Sequence, residues 1–450
     1  MPQRSSAVPR PSMTPAAIIS RLRLDPVSFV SELIRSHGAI TELPLGPQSL
    51  FLLHKPAYIR QILMDGDTFK KRPDKAAEDT YLGQMAGFSP MFADAQMPGY
   101  ARLMIEASER AGDRWRDALP ASGTLDIDIY REMMRISLEI VGETLFQADL
   151  QDQAAELVEA ILNLDSGYGF DPLTANLGHL LPPGRPRAND DHDAARRRLH
   201  SMMRRLFQNA KRSPAPPPLI ATLLEHVGNE QSPGVAVGTM LAMHEVTVTT
   251  LTWTWYLVSQ YPDIEREMHA EWARVLGGRP PEFDDVPRLV YTDMVLREVR
   301  RLFPSVWMIL RFVRADTRFD EHEVPAGSVV MASAQIMHRD AQYFHEPYLF
   351  NPQRWSAEQS AGRLPGAYFP FSEGARACAG ETFARIQDVI ILATLGQHWR
   401  AELIPGQQFR PQVHKSNAPR PGIEMMLQRH GAGQATGAPT SHHAWPRIHA

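Results

Sequence analysis

"FSEGARACAG", residues 371–380, holds the only cysteine among the 450 residues of this chain. A lone free cysteine is most often a small buried apolar side chain. The neighbours of Cys378 argue against that role here. Two glycines, an arginine and a preceding "YFP" make a turn-forming loop rather than a stretch of core. A structural zinc site needs several Cys or His ligands at close spacing, and none stands nearby.

One thiolate is enough for a different metal site, the axial position on a haem iron, where electron donation from sulfur favours O–O cleavage. The sulfur must then be held as an anion against a free-thiol pKa of about 8.5. Backbone N–H groups of a tight loop and the N-terminus of a following helix both favour that charge. Gly374 and Gly380 let the backbone close around Cys378. Phe371 can shield the sulfur from water, and Arg376 can reach a haem propionate. The next segment, "ETFARIQDVIILATL", sets Phe383, Ile386, Ile390 and Ala393 on one helical face, which anchors the loop to the core.

Phe371, Gly374, Arg376, Cys378 and Gly380 together spell F-x-x-G-x-R-x-C-x-G. On these residues the chain resembles the cytochromes P450, the haem-thiolate monooxygenases. The resemblance implies haem b as cofactor, Cys378 as its metal ligand, and a mainly α fold with a smaller β portion (α+β), built on a long central helix. It also gives meaning to weaker motifs. Glu298 and Arg301 in "REVRRL" would contribute only about 0.2–0.5 kcal/mol as an exposed helix pair. In the family such an E-x-x-R pair joins a later arginine, here Arg354 of "FNPQRW", in a buried triad that steadies the loop under the haem. Arg311 of "WMILRFV" matches the arginine that binds a haem propionate. Two competing motifs fail. "HRD" lacks the asparagine and Gly-rich loop of a kinase, and "HEVTV" lacks the second histidine of a zinc-protease helix.

The resemblance breaks in two places. In the central helix the family carries [AG]-G-x-[DE]-T, whose acid–alcohol pair relays protons to the site of oxygen activation. Here "AMHEVT" runs from Ala242 to Thr247, with Met243 at the glycine position and Val246 at the threonine. Valine neither donates nor accepts a proton. The catalytic relay then falls to Glu245 with Thr247, about 100° further round the helix, or with ordered water or a substrate hydroxyl. The second break is larger. The family carries a helix with W-x-x-x-R that contacts a propionate, yet no tryptophan stands between Phe69 and Met104. The chain is expected to be shortened around residues 75–100.

Composition agrees with one helix-dominated unit. Apolar residues make up 43% and charged residues 22%, as in an ordinary globular core. A formal net charge of −4 gives no argument for nucleic acid or an anionic membrane as partner. A single cysteine excludes an internal disulfide framework and suits the cytoplasm. The longest apolar stretch, "VGTMLAMHEVTVTTLTWTWYLV", carries His244 and Glu245 in its middle, so it reads as a core helix rather than a membrane anchor. Residues 1–15 are expected to be flexible, 16–430 to form a single domain, and 431–450 to be a disordered tail. "AITELPLGPQSLFLLHK" reads as a hairpin, "PAYIRQILM" as a helix opened by proline, and "YTDMVLREVRRLF" as a helix stopped before Pro304.

The function these features imply is oxidation of an apolar small molecule, terpenoid, fatty-acyl or polyketide-like, with O2 and electrons from a ferredoxin or flavin reductase. Ala242, Met243, Val246, Val306, Trp307 and Met308 are the candidate pocket residues. The alternatives are an atypical member doing rearrangement, dehydration or peroxide-driven chemistry, or a haem-poor, non-catalytic relative. Replacing Val246 by Thr is expected to raise product formed per electron pair and to lower hydrogen peroxide release. An unchanged ratio would show that the valine does not limit proton delivery.

Overall fold

Proline opens helix after helix in this chain. Pro15, Pro26, Pro56, Pro218 and Pro262 each stand in a first turn, where the missing N–H has no intrahelical partner to lose. Side-chain caps add to this: Ala17 N–H donates to Thr14 Oγ1 at 3.3 Å, and Ser28 N–H to Asp25 Oδ1 at 3.1 Å. The helix Pro262–Leu276 stops at Gly277, which adopts φ 61°. The computed structural model describes residues 7–46, 48–72, 91–165, 190–227, 232–412 and 416–431.

The longest element is the central helix Ser232–Gln260, 29 residues. Its second half is rich in threonine, a poor helix former. Burial overrides that preference, since Thr247 through Leu257 are all buried. Thr250, Thr252 and Thr254 donate their hydroxyls back to the carbonyls of Val246, Val248 and Thr250, so no polar atom of these three is wasted in the core. The helices Ile129–Phe146, Val290–Leu302 and Glu381–Gly396 pack around it.

The strands are β1 (Ile40–Pro44), β2 (Ser49–Leu53), β3 (Phe69–Lys70), β4 (Thr124–Asp128), β5 (Met308–Val313), β6 (Thr317–Phe319), β7 (His322–Val324), β8 (Val329–Ser333), β9 (Trp399–Leu403), β10 (Arg410–Gln412), β11 (Ala418–Arg420) and β12 (Glu424–Arg429). The main sheet runs β1-β2-β8-β5-β3. The expected hairpin is its β1–β2 edge, with Ile40 opposite Leu53. Three smaller groups, β4-β12-β9, β6-β7 and β10-β11, complete the β portion. An α+β architecture results, as the sequence implies.

Residues 7–14 lie against the main sheet. Glu42 N–H donates to Pro9 O at 2.9 Å, and Arg10 pairs with Glu42 at 2.7 Å. The remainder of the segment expected to be flexible, 1–6, and the tail from 432 onward lie outside the described residues. So does 73–90, most of the stretch expected to be shortened. Beyond it a single turn, Asp94–Gln96, leads into the helix Met97–Ala118. Among the described residues no helix is long and apolar enough to cross a membrane.

Close packing gives one stringent test. A Cβ at Gly396 would lie 2.5 Å from Trp272 Cη2. Trp272 cannot give way cheaply, because its Nε1 donates to Thr292 Oγ1 at 3.0 Å inside the core. Gly396→Ala is therefore expected to destabilise the fold by about 1–3 kcal/mol, seen as a lower urea midpoint. An unshifted midpoint would mean that the indole moves freely.

Candidate active site around Cys378

Two hydrogen bonds close the loop that carries the cysteine. Cys378 N–H donates to Phe371 O at 2.8 Å, and Glu381 N–H to Cys378 O at 3.3 Å. Gly380 is the N-cap of the helix Glu381–Gly396, so the sulfur sits just ahead of a helix N-terminus. Gly374 adopts φ 67°, and a Cβ there would lie 2.6 Å from Leu63 O. Both the backbone conformation and the close approach demand glycine at that position.

Contacts from four segments then pin the loop. Arg311, on β5, donates from Nη2 to Ser372 Oγ at 3.2 Å. Arg376 donates to Gly66 O at 3.3 Å, on the turn that precedes β3. The Phe371 ring faces the guanidinium of Arg300, 5.4 Å from its centroid. Arg300 is itself paired with Asp388 in the core, where burial pushes the carboxyl up to about 6 against the pull of Arg300. Phe92 covers Gly380 and meets Phe383 edge-on.

The triad is fully formed. Arg301 grips Glu298 with two bonds of 2.9 and 2.8 Å, and Arg354 Nε reaches Glu298 Oε1 at 3.1 Å. Asn351 N–H and Trp355 Nε1 add two more donors, which sequence motifs do not reveal. Both guanidinium groups also cap carbonyls of the 345–349 loop. Glu298 and Arg301 are wholly buried, so every charge must find its partner here.

Cys378 is accessible, yet protein encloses its sulfur, as happens in a recess. Burial pushes the thiol up, while the Gly380 N–H and the Lys71 ammonium pull it down. Lys71 is pushed down to about 8, first by burial and then by Arg311 beside it; Arg376 acts in the same sense and the sulfur in the opposite one. A recess with one accessible sulfur, a lysine acting on it and two arginines acting on that lysine suits haem, whose iron would take the thiolate and whose propionates would take cations. The residues present therefore fit the group. Among the described residues no cluster of three His, Cys, Asp or Glu side chains offers a rival metal site.

On the central helix, Ala242 is exposed and Met243, Glu245 and Val246 are half-buried. Thr247 is turned away from them. It is wholly buried and donates to Gln387 Oε1 at 3.2 Å, on the helix that follows the cysteine. His244 is buried and bonds Leu241 O at 3.0 Å. Val306 is 45% exposed, whereas Trp307 and Met308 belong to an apolar cluster with Phe29, Leu43 and Leu310. Sequence reasoning missed Ser305, which donates to Val246 O at 3.3 Å, along with Ser372 and Asp388. Only the Pro-Ser junction after "RRLF" hinted at the first of these.

Comparison with known proteins agrees with this geometry. The cytochrome P450 family profile matches residues 9–427. Cyclooctatin synthase of Streptomyces melanosporofaciens is 30% identical over 419 residues, covering 87% of this chain and 89% of that protein. Cyclooctat-9-en-7-ol 5-monooxygenase of the same organism is 29% identical, covering 85% and 86% respectively. Pentalenene oxygenase of Streptomyces avermitilis is 27% identical, covering 86% and 89%. The chain belongs to the cytochrome P450 family. It is a haem-thiolate monooxygenase of apolar small molecules, dependent on an external source of electrons.

Glu298→Ala leaves two buried guanidinium groups without their carboxylate. The expected loss of folding stability is about 3–5 kcal/mol, measured by denaturant titration. A loss under about 1 kcal/mol, the range of a surface pair, would contradict the triad's structural role.

Proposed function

We propose that this protein oxidises a terpenoid, or a fatty-acyl or polyketide-like molecule of similar apolarity, using haem b in the cytoplasm and electrons from a ferredoxin or flavin reductase. The accessible Cys378, set before a helix N-terminus among Lys71, Arg311 and Arg376, carries this reading. Haem held there supplies O2 activation, with sulfur donation favouring O–O cleavage. The compounds in the relatives' names, cyclooctatin, cyclooctat-9-en-7-ol and pentalenene, support the terpenoid class.

Each chain residue has a separate task. Cys378 binds iron, and Phe371, Gly374 and Gly380 shape and shield its loop. Arg311 and Arg376 hold propionates. Ala242, Met243 and Val246 present apolar surface to substrate beside Val306. Trp307 and Met308, packed behind them, act on the pocket through its wall. Glu245 holds the proton for transfer. Thr247 steadies Gln387, because its hydroxyl is already donated.

That commitment favours a second reading. With valine at 246 and the hydroxyl of 247 pointed at another helix, the acid–alcohol relay lacks its alcohol. Rearrangement, dehydration or peroxide-driven chemistry places less demand on such a relay.

Purified protein reduced under CO is expected to show the thiolate-type absorption band, and Cys378→Ser to abolish it. Persistence of the band in the serine variant would end the reading. A panel of terpenoid, fatty-acyl and polyketide-like compounds then identifies the class by spin-state shift. Turnover with hydrogen peroxide but none with O2 and an electron donor would select the second reading.

A further inference from the structure

Arg300 stands between the two members of the E-x-x-R pair, yet it serves neither. Two residues on from Glu298, it lies about 200° round the helix Val290–Leu302, and its side chain leaves the triad's side. There it pairs with Asp388 of the helix Glu381–Gly396, the two side chains being 3% and 0% exposed. The same guanidinium faces the Phe371 ring, 5.4 Å from its centroid. Phe371 O in turn accepts from Cys378 N–H at 2.8 Å. A buried cation thus stands two contacts away from the sulfur that would bind iron.

Stability alone does not account for the pair, since apolar residues of similar size would hold two helices together at least as well. Its two charges do different work. The guanidinium holds the Phe371 ring by a short-range cation–π contact. Its field reaches much further, because water is excluded from around it. Left alone, that field would favour the reduced form of iron bound at Cys378, since reduction adds one negative charge. Asp388 cancels the field and leaves the contact in place. Resting on the haem reading above, we propose that Arg300 and Asp388 set the reduction potential of the bound iron, Arg300 by steadying Phe371 and Asp388 by cancelling the charge this requires. Neither touches the iron, so both are positioning residues rather than catalytic ones.

Potentiometric titration of the ferric–ferrous couple, with dithionite as reductant, tests this without any turnover. At about pH 8 Asp388 is ionised, since burial raises its carboxyl and Arg300 lowers it to leave it at about 6. Asp388→Asn is expected to raise the ferrous-to-ferric ratio about tenfold at a fixed potential, an upward shift of about 59 mV. Arg300→Met/Asp388→Leu removes both charges and is expected to return close to wild type, which a purely structural role would not produce. The groups that act on Asp388 are Arg300 and, from the central helix, Thr247; Arg385 on its own helix is paired with Asp293. Acidifying wild type to about pH 5 therefore neutralises Asp388 without a substitution, which serves even where the asparagine variant does not fold. The wild-type potential is expected to rise further on that change than the potential of the double variant. An Asp388→Asn potential equal to wild type overturns the assignment. So does a double variant shifted as far as the single one, or a rise on acidification that the double variant shares in full. A wild-type chain that shows no thiolate-type band removes the haem reading itself, and the assignment with it.

Discussion

The proposed role of Cys378 asks for a sulfur anion in a protein recess, an unfavourable state that the groups around it would have to make tolerable. Burial alone pushes the Cys378 thiol towards its neutral form. Against that stand an N–H of the loop, the nearby start of a 16-residue helix and an ammonium group. Each is useful only if the loop keeps its shape to within a fraction of an ångström. Gly374, wedged against Leu63 O, shows how little room there is.

Holding that shape falls to buried charges rather than to apolar contacts. Glu298 gathers five donors from Arg301, Arg354, Asn351 and Trp355. Arg300, its neighbour but one, turns to Asp388 and to the Phe371 ring. Buried ion pairs seldom add net stability over apolar residues of equal size, yet each is costly to break from one side. Such pairs are well suited to fixing one arrangement among many. In this molecule they tie the helix Val290–Leu302 to the 345–355 segment on one side and to the cysteine loop on the other.

The central helix follows a different logic. Thr250, Thr252 and Thr254 satisfy themselves along the helix. Thr247 instead is spent on Gln387 and so on the contact with the helix after the cysteine. Ser305 meanwhile approaches the carbonyl of Val246 from the strand side. Hydroxyl groups are therefore present on both sides of Val246, but each is assigned to holding elements together.

Much of this was legible in the sequence because it depends on local chemistry. The cysteine loop, with glycines at fixed spacing, dictates its own turn; E-x-x-R and a later arginine name the triad; proline and glycine mark where helices begin and end. Helical periodicity also placed Phe383, Ile386 and Ile390 on a buried face. The sequence by itself thus determined the α+β class and the turn that carries the sulfur. Which way a side chain faces when several elements compete for it was decided only by tertiary structure. Trp307 lies in a core cluster, Thr247 meets a residue 140 positions away, and Lys70 is set opposite Phe312 by strand register. The physical reason is common to all three: each contact joins segments far apart in the chain, and no spacing rule within one segment encodes the distance between two.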